Sequence, residues 1–153
     1  AERQQALQQF LLVTGGPGND GGTFATALHA VKLWGGVLEH PAKSRAFRHF
    51  GLTEPKGAGW QRCASGGWVC EVWQSAYGHR AAKATWLCYH GDTPPPELRW
   101  ERPAGTHQVG FQDRRGKARN KPTLTSKEAA ATPVEFRDLL INLARCARLA
   151  LAA

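Results

Sequence analysis

Apolar positions recur with two different periods along this 153-residue chain. Phe24, Ala27, Leu28, Val31 and Trp34 fall at helical spacing, which predicts a helix over 23–34 with one apolar face. Leu11-Leu12-Val13 before it and Gly36-Val37-Leu38 after it are short apolar runs, the pattern of buried strands. A strand–loop–helix–strand order predicts a parallel sheet with a right-handed crossover. Residues 1–10 read as the end of a preceding helix. In Gly35-Gly36-Val37-Leu38-Glu39-His40-Pro41, Glu39 and His40 stand where the strand runs out, and Pro41 is expected to stop the ladder.

Beyond Pro41 the period changes. Ser44 is placed to cap a short helix holding Ala46, Phe47 and Phe50. Residues 51–59 form a turn-rich connector. Residues 60–64 and 67–73 read as two strands of a hairpin turning near Ser65-Gly66, and 84–89 as a third strand rich in aromatic and β-branched residues. Pro94-Pro95-Pro96 stiffens the linker that follows, 98–100 is a candidate edge strand, and 101–122 is a long polar loop. Thr125-Ser126-Lys127-Glu128 and Thr132-Pro133-Val134-Glu135 both fit a capping box. Phe136, Leu139, Leu140, Leu143 and Ala147 then make one apolar stripe. The expected organisation is a core over 1–92, a Pro-rich linker and basic loop over 93–124, and a C-terminal helix over 125–153 packed on the core.

Composition narrows the class. A hydrophobic content of 42% supports one domain with a real core, and no apolar run approaches the roughly 20 residues of a membrane span. Residues 1–9 are polar and carry no signal-peptide core, so a cytoplasmic protein without a membrane partner is expected. The chain has no Met and starts at Ala1, as after removal of an initiator or in a piece of a longer protein. Cys63, Cys70, Cys88 and Cys146 show no C-x-x-C pair, which predicts reduced, mostly buried thiols and no metal site.

The net charge of +8 favours a polyanionic partner, nucleic acid first. Arg114, Arg115, Lys117, Arg119, Lys121 and Lys127 face only Asp113 between residues 112 and 127. Five of these, Arg114 to Lys121, suit the sequence-independent contacts that DNA phosphates make. A solubilising loop is the plainer reading of the same stretch. Of six Trp, most are expected in the core, and one in a loop could stack on a base.

Three further stretches carry candidate chemistry. Gly16-Pro17-Gly18-Asn19-Asp20-Gly21-Gly22-Thr23 echoes a phosphate-binding loop but lacks its Lys, which excludes ATP hydrolysis on that pattern. It serves equally as a structural turn or as a pocket wall. Glu39 is a candidate to accept a hydrogen bond from a base amine or to donate one when protonated in a dry pocket, with His40 beside it. Tyr77-Gly78-His79-Arg80-Ala81-Ala82-Lys83 is dense in donors, and Arg80 and Lys83 are spaced to reach one anionic group together.

In this order the pieces resemble the second half of a class I S-adenosylmethionine-dependent DNA methyltransferase, especially the cytosine-C5-like proteins of phages and prophages. Gly16-Pro17-Gly18 is similar to the family's Pro-Cys loop. Val37-Leu38-Glu39-His40-Pro41 is similar to its Glu-Asn-Val motif, whose Glu holds the target base. Residues 77–87 look like a variant of its Gln-x-Arg-x-Arg motif, and 131–140 resembles the terminal helix of the phage proteins. The resemblance implies a Rossmann-like α/β partial sheet with flanking helices and an antiparallel hairpin. It implies Glu39 as the catalytic residue, His40, His79, Arg80 and Lys83 at the substrate, and Gly16, Pro17 and Gly18 at the cofactor. Gly18 stands where the nucleophilic Cys belongs, and the family's cofactor-binding first half is missing. C5 methylation needs a thiolate to add to the ring. If active, the chain would therefore share S-adenosylmethionine with a missing N-terminal half or a second chain. The alternatives are a non-catalytic phage accessory or structural protein on a degenerate scaffold, or another pyrimidine modification.

Overall fold

The computed structural model describes residues 21–109 and 121–147. Helix α1 (Thr23–Trp34) leads into strand β1 (Gly36–Pro41), followed by the short helix α2 (Arg45–His49). Strands β2 (Gln61–Arg62), β3 (Trp68–Trp73) and β4 (Ala84–His90) come next, with a 3-10 turn at Gln74–Tyr77 between the last two. Helices α3 (Ser126–Ala130) and α4 (Val134–Cys146) close the described chain. None of these helices is long and apolar enough to cross a membrane.

The strands form one sheet in the order β1-β4-β3-β2, antiparallel at every pairing. The fold is thus a mixed α/β one, but the described sheet contains none of the parallel pairing expected for β1. The apolar pattern correctly marked helix and strand; it carried no information on which strand β1 would meet. Its partner is β4, with Gly36 opposite His90 and Pro41 opposite Thr85. The other strand expected beside it, at 11–13, lies outside the described residues. The hairpin expectation corresponds to β2 and β3: Gly66 and Gly67 take φ of 93° and 75° in the turn, and Cys63 N–H donates to Gly67 O at 3.1 Å.

Strand alternation assigns each core to one face. Leu38, Trp86, Cys88 and Val69 pack with Phe24, Leu28, Phe47 and Leu52 on the α1 face. Val37, Leu87, Tyr89, Cys70 and Val72 pack with Phe136, Leu143 and Ala147 on the α4 face. β4, buried continuously from Thr85 to Tyr89, is covered on both sides and reads as a continuous apolar run for that reason.

Three local expectations change. β1 does not end at Leu38 but runs to Pro41, and Ala42 N–H still donates to Ala84 O at 3.1 Å. That bond turns the position of Pro41's missing N–H to the side of β1 away from β4, where no pairing among the described residues needs a donor. Residues 98–100 form no strand; Arg99 N–H donates instead to the Tyr77 hydroxyl at 2.9 Å. Thr132 does not cap α4: the N-cap position is Pro133, which has no side chain able to cap, and Glu135 pairs with Arg99 at 2.9 Å. The caps at Ser44 and the capping box of Thr125 with Glu128 form as expected.

Candidate functional site

The β3-to-β4 connection is built from the inside outwards. Gln74 is buried, takes Lys83 O with its N–H at 2.9 Å, and donates from Nε2 to Thr85 Oγ1 at 2.9 Å. Gly78, at φ 92°, reverses the chain after the 3-10 turn. His79 follows, 7% exposed, with Nδ1 3.1 Å from Ala81 N and 2.9 Å from Ala81 O. Its Nε2 is buried with no hydrogen-bond partner among the described residues.

A second strip of chain clasps this connection. Thr106 and His107 both donate backbone N–H to Arg80 O, at 2.8 and 3.0 Å. Gly105, at φ 68°, lies so close that a Cβ there would sit 2.4 Å from Arg80 O. Gln108 exchanges backbone hydrogen bonds with Pro122 and Leu124, both at 2.9 Å. Lys121 Nζ donates to Ala104 O at 2.9 Å and to Gly105 O at 2.7 Å. A cleft of about 350 Å³ opens beside this clasp, lined by Gly78, His79, Arg80, Leu124, Glu128 and Pro133 among others. Arg80 and Glu128 form an ion pair on its wall. The Thr125 backbone N–H and hydroxyl, with Arg80, hold the Glu128 carboxyl below its ordinary range.

Glu39 and His40 are adjacent in sequence and point to opposite faces. Glu39 lies opposite Leu87 on the α4 face, where burial pushes its carboxyl up and the Lys83 charge partly offsets that. His40 lies opposite Trp86 on the α1 face, edge-on to Phe24 at 4.8 Å, with Nε2 2.8 Å from Ser44 Oγ. One ligand cannot be gripped by both from a single face. The period-two alternation of Val37, Leu38, Glu39 and His40 carried this signal. Arg80 and Lys83, expected to reach one anion together, divide in the same way. Arg80 turns to Glu128, while Lys83 acts on Glu39.

The structure offers no activated thiol beside Glu39 among the described residues. Cys70 shares its face, two strands away across Leu87, but is fully buried, and burial raises its thiol strongly. Cys88 is pushed up to about 12, again by burial. Burial also raises Cys63, but hydrogen bonds from Ser65 and Thr53 carry it below its ordinary value; it belongs to the core of the opposite face. No three His, Cys, Asp or Glu side chains converge on a metal-sized site among the described residues. Gly16, Pro17 and Gly18, and Arg114, Arg115, Lys117 and Arg119, lie outside the described residues.

Sequence reasoning passed over the polar cluster around the Glu71 carboxylate. Its Oε1 accepts from Trp73 Nε1 at 3.2 Å and its Oε2 from Trp86 Nε1 at 3.0 Å, with Arg102 Nη2 3.5 Å away. An acid inside the apolar strand Trp68–Trp73 was the available sign. Compared with protein-family models, curated proteins and solved structures, the chain matches none.

Proposed function

We propose that this chain binds nucleic acid through the loop at 78–83 and the basic segment rooted beside it. One observation carries the reading. The two arms of chain that flank residues 110–120 are fastened to each other, through Gln108 with Pro122 and Leu124 and through Lys121 with Ala104 and Gly105, and the first of them is fastened to the connection at Arg80 O through Thr106 and His107. The stretch between them holds Arg114, Arg115, Lys117 and Arg119 against Asp113 alone. Cations rooted on a folded stem beside a cleft suit the phosphate contacts that dominate nucleic-acid affinity.

The finer reading is a Rossmann-like methyltransferase scaffold using S-adenosylmethionine on a DNA base. It asks for features that the described residues do not supply. Such cofactors bind at the carboxyl ends of parallel strands, and the described sheet is antiparallel. Glu39, which that reading would set against the base, has no reactive thiol beside it. The accessory, non-catalytic form of the reading is therefore the one we favour.

A gel shift of labelled duplex DNA over a salt series tests the binding. Affinity should fall steeply as salt rises, and affinity indifferent to salt would contradict phosphate contacts. Calorimetric titration with S-adenosylmethionine should give no binding heat. Binding together with methyl transfer to DNA would instead establish the enzyme.

A further inference from the structure

One end of the sheet gathers three connections. β1 leaves it at Pro41, β4 enters it at Ala84 and β3 leaves it at Trp73; Pro41 faces Thr85 and Trp73 faces Ala84. The Ala42-to-Ala84 backbone bond, at 3.1 Å, brings the segment 42–49 alongside the connection that carries Arg80 and Lys83. That segment contains Lys43, Arg45, Arg48 and His49 and no acid, and all four are exposed.

These cations stand on a firm frame. Ser44 N–H donates to Pro41 O at 3.4 Å, and Ser44 Oγ accepts from Ala46 N–H at 3.2 Å while meeting His40 Nε2 at 2.8 Å. Phe47 is fully buried, its ring 5.0 Å from that of Trp86. Lys43 takes φ 65°, the one non-glycine residue in the left-handed region among those described. Backbone strain of this kind persists where the surroundings over-determine it, and it gathers at functional sites. Arg48 pairs with Glu54 at 3.3 Å, yet its side chain stays 81% exposed. Lys43 and Arg45 form no ion pair among the described residues. The nearest strand acid on this face, Glu71, is engaged by two indoles and Arg102.

We infer that this end of the sheet is a nucleic-acid backbone track, with Lys43 and Arg45 as phosphate contacts. The inference rests on the nucleic-acid reading above and adds to it the contacts of residues 42–49. Its occupant is a phosphodiester backbone because exposed cations spread along one segment, from Lys43 to Arg48 with no acid among them, match a row of phosphates.

Fluorescence anisotropy of a labelled DNA duplex, over a salt series, tests it on the full chain. The variants are Lys43→Asn with Arg45→Gln, and Lys32→Gln as a control at the opposite end, where β1 begins. Asn is used because it accepts positive φ. Each phosphate contact contributes about 0.9 to the slope of log affinity against log salt, so the double variant should be shallower by about two. Lys32→Gln should leave the slope unchanged. If the parent chain shows no salt-linked binding, the nucleic-acid reading itself falls. If it binds and the double variant keeps the parent slope, the track alone is overturned, as it also is if Lys32→Gln flattens the slope equally. Should circular dichroism show the double variant unfolded, Arg45→Gln alone decides, with a slope shallower by about one.

Discussion

Glu71 and Trp86 face each other across β3 and β4, and Glu71 Oε2 accepts the Trp86 indole N–H at 3.0 Å. The other carboxylate oxygen takes the Trp73 indole at 3.2 Å. This arrangement ties the central strand to its neighbour next to the connection that carries His79 and Arg80. Glu71→Ala leaves both indoles without their acceptor and should destabilise the fold by about 2 kcal/mol in urea unfolding. Glu71→Gln keeps one carbonyl acceptor and should lose about half as much. A Glu71→Ala variant as stable as the parent would show that the carboxylate does not tie the strands.

Gly105 holds the clasp against Arg80 O. Ala at φ 68° is strained, and its Cβ would sit 2.4 Å from that oxygen. Gly105→Ala should cost more than about 1 kcal/mol and loosen the stem of the basic segment. Proteolysis within 101–109 should accelerate along with the drop in thermal stability; parent-like resistance there would count against the clasp.

Arg80 is held by Glu128, so removing that charge should release it. Glu128→Gln preserves the capping box with Thr125, because Gln serves at that position. The salt slope of DNA binding should then steepen by about one. An unchanged slope would take Arg80 out of the interface.

The Glu39 carboxyl is raised by burial, and the sign of its effect on stability follows. A group whose folded value lies above its unfolded one contributes stability that is present below the unfolded value and lost as pH rises through the folded one. Glu39→Gln should therefore be more stable than the parent at pH 7, with the difference closing as pH falls toward 4.5. Denaturant titration at both pH values measures this. A variant less stable at pH 7 would mean that the Lys83 attraction outweighs burial.

The four thiols should separate by environment. Cys146 is exposed and should react promptly with an aromatic disulfide reagent. Cys63, buried but lowered by its hydrogen bonds, should follow slowly. Cys70 and Cys88 should react only on unfolding, since burial both shields them and disfavours their thiolates. Fast labelling of Cys88 in the native protein would contradict the described core.

Much of the local structure was legible in the residues, because it depends on short-range chemistry. The period of Phe24, Leu28 and Val31 marks α1, and the apolar run 84–89 marks β4 to within one residue. Ser44 and the Thr125–Glu128 pair announce their caps, and Ser65-Gly66 its turn. Phe136, Leu143 and Ala147 lie buried on the α4 face as the stripe foretells.

Strand partners and the meeting of distant polar groups were decided by tertiary structure alone. Nothing in Gly36–Pro41 says that β4 will arrive antiparallel, since an apolar run suits either direction. Nothing near Arg80 announces Glu128, 48 residues away, or the clasp by Thr106 and His107. Lys121 illustrates the same limit: its charge was readable, but its donation to the Ala104 and Gly105 carbonyls joins positions 17 and 16 residues apart in the chain. Periodicity and capping are set by neighbours within a turn or two. Pairing direction and charge partnership are set by which surfaces the whole chain can bury at once.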